Sequence, residues 1–429
     1  MENIGKTRII RKTFSICDKC LRKVPAETYE KQGGIVILKR CHQHGRFTNA
    51  HFWDDPVVYK TLLNVKTVNP EPANLSIALT NKCNLNCQVC YARSNDGKVR
   101  HFNIRKLGVI SGYKGVLLTG GEPTIRSDLP EIIRLIRKKR KRVSIFSNGL
   151  KLADRNYLTR LKKSGLSGVI MQFDTLNPTI SRFRRGGGLI KIKEKAINNV
   201  QKEKLPLYLY CVVLENNLYE IKKIIEFSLR YSVIKMVSFN TLGMIGRCDR
   251  DEYLPSSKII RIIRKELGIK KKDWIESSRL LNSLDRILQP LGVGRRLFSK
   301  CSLKWMALPY KNELVPISKI FNLERINRDA EKLSPFSFLT SFVKNEVILN
   351  FFRNRYFRML LMKTFKSAKY LFIKKYSLFN PFFIVAVTVV PSAENIDYDF
   401  IKECNIEAIT PGITTPEPAC LHRVKQNRA

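Results

Sequence analysis

The sequence predicts an α/β protein whose centre is a partial (βα)6 barrel. Two observations predict it. Between residues 75 and 240, six short apolar runs alternate with segments of helical period. Such alternation implies βαβ units and a parallel sheet. The chain also has 429 residues, 44% of them hydrophobic, enough for a sizeable core and for more than one domain.

The elements follow in order. LSIALT (75–80) reads as the first strand and GVLLTG (115–120) as the second. Residues 128–139 carry Leu129, Ile132, Ile133, Leu135 and Ile136 at helical spacing, an amphipathic helix. VSIFSN (143–148) and GVIMQFD (168–174) are strands around a helix at 153–164. A helix at 191–202, the strand PLYLYCVVL (206–214), a helix at 218–231 and the strand IKMVSFN (234–240) complete the six units. Past about residue 250 the rhythm fails. Residues 256–300 read as helical and basic, 301–324 as a hairpin about Lys311 and Asn312, and 336–376 as one or two helices. The last 40 residues hold Pro391, Pro411, Pro416 and Pro418 and are expected to be irregular. The pattern divides the chain into an N-terminal module (1–66), the barrel (67–250) and a C-terminal region (251–429).

Lys and Arg number 78 against 36 Asp and Glu, a formal charge of +42. A field of that sign favours polyanions, either anionic lipid head groups or nucleic acid. The basic residues are spread along most of the chain, so a compositional bias accounts for the charge about as well. No secretory signal is legible, and no segment offers the roughly 20 apolar residues of a spanning helix. The longest uncharged run, 376–393, is interrupted by Pro381 and Pro391 and reads as a buried strand. The expected location is the cytoplasm, with peripheral contact at the inner membrane face. Eleven cysteines in an unsecreted protein argue for metal binding rather than disulfides.

The stretch TNKCNLNCQVCYARS (80–94) places Cys83, Cys87 and Cys90 at C-x3-C-x2-C spacing just after the first strand. In βα barrels the chemistry lies at such C-terminal strand ends. Three thiolates would hold three irons of a 4Fe–4S cube, which ordinarily takes four. The fourth iron would stay open for a substrate or cofactor. About 30 residues on, GVLLTGGEPTIR ends the second strand with Gly120, Gly121, Glu122 and Pro123. Glycines permit close backbone approach, and a carboxylate suits an ammonium. Ser147 and Asn148 end the third strand, and Gln172 and Asp174 the fourth, alternating to one side.

With these motifs the sequence resembles the radical S-adenosylmethionine (SAM) superfamily. Tyr91 is the aromatic residue that usually follows the third cysteine there. The resemblance implies that SAM chelates the open iron, with Gly120, Gly121, Glu122 and Pro123 at its amino group and Ser147 and Asn148 at its carboxylate or ribose. An electron from the cluster would cleave SAM to a 5′-deoxyadenosyl radical that abstracts hydrogen from a C–H bond. From their own positions, Gln172 and Asp174 would contact SAM or substrate, and Arg184 and Arg185 would hold an anion, the SAM carboxylate or a lipid phosphate, or else stand on an exposed basic loop. A ferredoxin or flavodoxin would supply the electron. The N-terminal knuckle, FRRGGG (183–188) and FNTLGMIGR (239–247) resemble the archaeal tetraether lipid synthase group, earlier described as pterin methyltransferase, over roughly 12–325. Members of that group, which are transferases of lipid biosynthesis, couple isoprenoid ether lipid chains through a carbon–carbon bond.

The flanking cysteines have their own readings. Cys17, Cys20, Cys41 and His44 form a zinc-knuckle pattern for one zinc or iron ion, with His42 a rival ligand. Cys301, Cys404 and Cys420 could ligate an auxiliary iron–sulfur cluster, with Cys248 a weaker fourth. Cys211, inside an apolar strand, is an ordinary buried cysteine. Residues 341–376 hold nine Lys or Arg, one acid and nine aromatics. That composition suits an interfacial membrane helix, and equally a core helix with a solvated basic face; nucleic acid is a weaker fit. RKKRKR (137–142) reads as a solvated patch. Two other functions stay open: radical modification or methylation of RNA, a pterin or a peptide, and a non-enzymatic, metal-stabilised binding protein.

Overall fold

The computed structural model describes residues 9–65, 73–243, 245–248, 253–288, 299–310, 313–348, 350, 353–362, 382–391, 393–401, 404, 406–411 and 413–426. The alternating pattern becomes six parallel strands: β5 (Asn74–Thr80), β6 (Gly115–Gly120), β7 (Arg142–Ser147), β8 (Gly168–Gln172), β9 (Leu207–Val212) and β10 (Ile234–Asn240). They pair in sequence order, each with its successor. Helices α2 (Leu129–Lys138), α3 (Arg155–Lys163), α5 (Ile190–Lys202) and α6 (Ile221–Leu229) cover the sheet. On α2 the stripe Ile132, Ile133 and Ile136 is fully buried. Truncating one of these to Ala would cost about 2–5 kcal/mol. A further helix, α4 (Pro178–Arg185), lies between β8 and α5.

The N-terminal module is all β. Strands β1 (Ile9–Ile16), β2 (Lys23–Lys31), β3 (Gly34–Cys41) and β4 (Gly45–Ala50) form an antiparallel sheet in sequence order. Helix α1 (Pro56–Asn64) follows, capped by Asp55, whose carboxylate accepts from the Val57 and Val58 N–H groups.

The C-terminal region joins the barrel sheet at both edges, making eleven strands in all. Strand β13 (Phe383–Thr388) pairs parallel with β10, and the hairpin β11 (Ser302–Tyr310) and β12 (Glu313–Pro316) continues outward from it. At the other edge β14 (Ile406–Thr410) pairs parallel with β5, and β15 (Ile413–Pro418) closes the sheet. The expectation of an irregular C-terminus is thus corrected. Prolines 416 and 418 fall on the outermost strand, where a missing N–H removes no necessary bond. The buried strand expected within 376–393 is β13; residues 376–381 of that run lie outside the described residues. Residues 256–288 are helical as expected, in α7 (Ser256–Leu267) and α8 (Lys271–Leu288). Helix α9 (Leu323–Lys332) precedes α10 (Pro335–Phe342), and helical structure continues to 348. The remainder of the basic aromatic segment, 363–376, lies outside the described residues. No described helix is long and apolar enough to cross a membrane.

A latch joins the first module to the last region. The Lys39 ammonium, fully buried, donates to the Ile16 and Ala393 carbonyls and pairs with Asp18. Ser15 and Asn49 donate to the Ile396 and Glu394 carbonyls. Arg11 and Thr13 bind the buried Asp397 carboxylate, and Phe400 stacks on Tyr59.

Candidate active site

At the tip of the N-terminal sheet, Cys17, Cys20, Cys41 and His44 bring their ligand atoms within 4.8 Å of one another. Cys17 and Cys20 flank the turn after β1, and Cys41 and His44 the turn between β3 and β4. The His44 Nδ1 lies 3.5 Å from the sulfurs of both Cys17 and Cys41. Zinc–sulfur bonds of about 2.3 Å set thiolates roughly 3.8 Å apart, and the Cys20 and Cys41 sulfurs are 3.9 Å apart. His42 is exposed and outside the group, which settles the rivalry for His44. Burial opposes ionisation of Cys17, but backbone N–H groups of Cys20 and Lys19 and the neighbouring thiols outweigh it, lowering its pKa to about 6. A thiolate is the form that binds metal.

The second group lies on the loop leaving β5. Cys83, Cys87 and Cys90 are each partly exposed, and their sulfurs do not converge within 4.8 Å. The Leu85 N–H points at the Cys83 sulfur (3.4 Å) and the Ser94 N–H at the Cys90 sulfur (3.5 Å). Burial pushes the Cys83 thiol up to about 12, and Glu122, Cys87 and Cys90 add repulsion. A bound cation reverses that balance, because a coordinating thiol is deprotonated outright. The donor set therefore fits an iron cluster.

The loop is held from several sides. The Cys83 N–H donates to Asn95 Oδ1 (2.8 Å). Cys90 exchanges backbone hydrogen bonds of 2.8 and 2.9 Å with Arg247. The Arg247 guanidinium donates to Asn86, the Cys87 and Ser94 carbonyls, and Asp96. A Cβ on Gly246 would stand 2.3 Å from the Cys90 carbonyl oxygen, so only glycine lets these segments meet.

The residues after β6 and β7 form one lattice. A Cβ on Gly121 would stand 2.2 Å from the Lys82 carbonyl oxygen. The glycine pair thus lets the turn press against the start of the cysteine loop, where the Gly121 and Glu122 N–H groups donate to the Thr80 and Lys82 carbonyls. Pro123 is buried in the turn that follows. The Glu122 carboxylate, also buried, accepts from the Thr124 N–H and hydroxyl, the Ser147 hydroxyl (2.8 Å) and the Asn148 N–H (2.7 Å). Burial raises its pKa. Glu122 therefore ties two strand-end turns together, its oxygens already engaged. The Asn148 amide donates to Asn84 (2.8 Å) and points toward the Cys83 sulfur at 3.9 Å. The Tyr91 hydroxyl meets that of Thr119.

Behind the loop lies a buried charge cluster. Asp174 and Arg185 form an ion pair, and Arg185 also donates to the Val89 carbonyl (2.7 Å). Burial opposes ionisation of Asp174, but Arg185, Arg184 and Lys193 outweigh it and lower its pKa. Gln172 donates to Asp174, and the Lys193 ammonium donates to the Gln172 carbonyl (2.8 Å) and side chain. Burial lowers Lys193 to about 8 despite the attraction of Asp174 and Cys87. Arg185 is therefore committed internally, beside Cys87. The sequence reading missed Lys193 and Arg247. Lys193 stands in line with Ala196, Ile197 and Val200 on the buried stripe of α5, and a lysine in an apolar stripe was the available signal.

In the third group, Cys420 is pushed well above its ordinary value by burial, with Cys404 and Cys301 adding repulsion. The three sulfurs, from opposite edges of the sheet, thus lie within electrostatic reach. Lys300 over the Phe400 ring at 5.5 Å shows the same approach. Cys248 follows Arg247 beside the Cys83–Cys90 loop, and Cys211 is buried in β9.

Comparison with known proteins agrees with this geometry. The family described as Radical SAM superfamily matches residues 77–228. Residues 77–228 thus form a radical SAM domain. A family described as HMPTM N-terminal zinc ribbon domain matches residues 9–51, the module holding the four-ligand group. Relatives include a 7,8-dihydro-6-hydroxymethylpterin dimethyltransferase of Methanocaldococcus jannaschii, 33% identical over 283 residues, 57% of this chain and 55% of that protein. A probable GTP 3′,8-cyclase of the same organism is 32% identical over 169 residues, 37% of this chain and 55% of the relative. The chain thus spans about half the length of these curated relatives. Among solved structures, Streptococcus suis SuiB bound to S-adenosylmethionine aligns with a TM-score of 0.40 at 13% identity, covering 58% of this chain and 69% of that one. Radical SAM domains work with a 4Fe–4S cluster and SAM, and the ribbon adds a further metal.

Proposed function

We propose that this chain is a radical SAM enzyme whose cluster sits on Cys83, Cys87 and Cys90 and whose substrate is an isoprenoid ether lipid. The observation that carries the first half is the trio of partly exposed, separated thiols on a loop braced by Glu122, Asn95 and Arg247. Cluster and SAM, when bound, supply a carbon radical that removes hydrogen from an unactivated C–H bond. The chain's own residues hold and shield that site. Gly120, Gly121, Glu122 and Pro123 shape the turn beside it, Ser147 holds Glu122 from the next strand end, and the Asn148 side chain offers a polar group to SAM. Tyr91 lines its rim, and Gln172, Asp174 and Arg185 fix the charge behind it. Cys301, Cys404 and Cys420 would carry a second iron–sulfur centre.

The lipid reading is supported by exposed apolar side chains clustered between 336 and 362: Phe336 (80% exposed), Leu339 (40%), Val343 (48%), Ile348 (51%) and Met362 (61%). Together with the basic residues there they suit a peripheral seat on anionic lipid. Carbon–carbon coupling of the lipid chains is the reaction we favour. Methylation of a pterin is the second reading, favoured by the name of the Methanocaldococcus relative. Anaerobic reconstitution followed by reduction with SAM tests both. 5′-Deoxyadenosine formed in step with loss of archaeal diether lipid is the expected result. Its formation with methylated pterin, and no lipid turnover, would replace the lipid reading.

A further inference from the structure

We propose that residues 97–106 form the docking face for a small acidic one-electron carrier protein that reduces the cluster. The inference rests on the cluster assigned above to Cys83, Cys87 and Cys90.

This segment runs back alongside the cysteine loop. The Asn81 N–H donates to the Arg100 carbonyl, and the Asn81 side chain donates to the Lys98 carbonyl (2.9 Å) and accepts from the Arg100 N–H (2.7 Å). Thr80 and His101 form a β-bridge, and the Phe102 N–H donates to the Leu79 carbonyl (2.9 Å). The face is therefore joined to the chain two or three residues from Cys83, and Asn95, just before it, holds the Cys83 N–H directly.

Its chemistry has one sign. Lys98, Arg100, His101, Arg105 and Lys106 are exposed, as is Lys82 at the loop itself. No Asp or Glu occurs from 97 to 121. Of the flanking acids, Asp96 pairs with Arg93 and Arg247, Glu122 is buried among its own donors, and Asp128 pairs with Arg126. Lys82, Lys98, Arg100, Arg105 and Lys106 pair with no acid among the described residues. In the middle stands Val99, 57% exposed. An apolar centre within a charged rim is the anatomy of a transient protein interface, and such rims steer encounter.

An acidic electron carrier fits this face better than lipid or nucleic acid, because the face adjoins the one group that must be reduced. One electron leaves the carrier and lowers the cluster's charge by one; no bond forms or breaks in that step.

The test uses the full chain, reconstituted, and the charge-reversed variant K98E/R100E/R105E. Cluster bleaching is followed by stopped flow with reduced flavodoxin and, separately, with reduced methyl viologen. The expected result is a fall of roughly tenfold or more in the flavodoxin rate at low ionic strength, closing at high salt, with the dye rate unchanged within about twofold. The neutral variant K98Q/R100Q/R105Q should fall between, which separates charge from misfolding. Equal flavodoxin rates in parent and variant, with normal dye reduction, would overturn the docking face. So would lost binding to phosphatidylserine vesicles with an unchanged flavodoxin rate. A cluster that the dye reduces in neither protein would overturn the cluster assignment itself, and the docking face with it.

Discussion

The ribbon and the barrel loop spend the same amino acid in opposite ways. In the ribbon, four donors from two facing turns converge within 4.8 Å, with Cys17 and Cys41 buried. No position is left over, as in structural sites generally. In the loop, three thiols stand apart and partly exposed, and their support comes from backbone and side-chain bonds to Asn95, Arg247 and the turns after β6 and β7. Closure gives stability, whereas an open position gives chemistry. The supports differ accordingly. The ribbon is latched to 393–400 by buried Lys39 and Asp397, so it braces the far end of the chain. The loop is braced by the strand ends that would touch SAM.

Three substitutions sharpen this contrast. The largest effect should come from Cys83→Ala, which leaves two cluster ligands. SAM cleavage should fall by at least about a thousandfold while the melting temperature moves little, as product analysis and calorimetry would report. Cys41→Ser should do the reverse. The ribbon metal should be lost and stability should drop by several kcal/mol, as for other structural sites. Limited proteolysis should then open the chain near 393–401, while iron on the barrel loop persists. Loss of that iron in Cys41→Ser would erase the distinction between the sites.

The smallest effect concerns Lys193. Its folded pKa of about 8 lies below the ordinary 10.5, so charging it costs the fold. That cost is complete below pH 8 and lifts as pH rises from 8 toward 10.5, where the unfolded chain also loses the proton. Lys193→Met should lack this component. Parent minus variant stability should therefore rise by about 1–3 kcal/mol across that window in denaturant titrations. A flat difference would place the ammonium in a wetter site than its 5% exposure implies.

The six barrel strands were legible because each is a short apolar run between helical segments, with β5 and β6 buried on both faces and β7 and β9 alternating buried and half-buried positions. The four ribbon ligands were legible from their spacing. Helix α4 was not, since PTISRFRR has no apolar stripe and its buried face includes Arg184 and Arg185. Those arginines are buried against Asp174, Asn216 and the Val89 and Val212 carbonyls, which accept from them, a tertiary fact that no local pattern carries. Strand β15 was hidden by Pro416 and Pro418, which only an edge strand tolerates, and Pro411 beside β14 made that short strand read as irregular too. The four ribbon strands were hidden for another reason. Their alternation is short and mixed with charge, as in β2 (KVPAETYEK), and the module leans on its metal and its latch rather than on a large core. Glu122 was read as a ligand for an ammonium, but its role depends on donors from β7, some 25 residues away.

The most direct test of the central claim is electron paramagnetic resonance of the reduced, reconstituted protein with and without SAM. The account predicts a reduced-cluster signal that changes shape when SAM is added and disappears in Cys83→Ala, because one iron is open and its three partners are Cys83, Cys87 and Cys90. A signal indifferent to SAM, or one that survives Cys83→Ala unchanged, would contradict it.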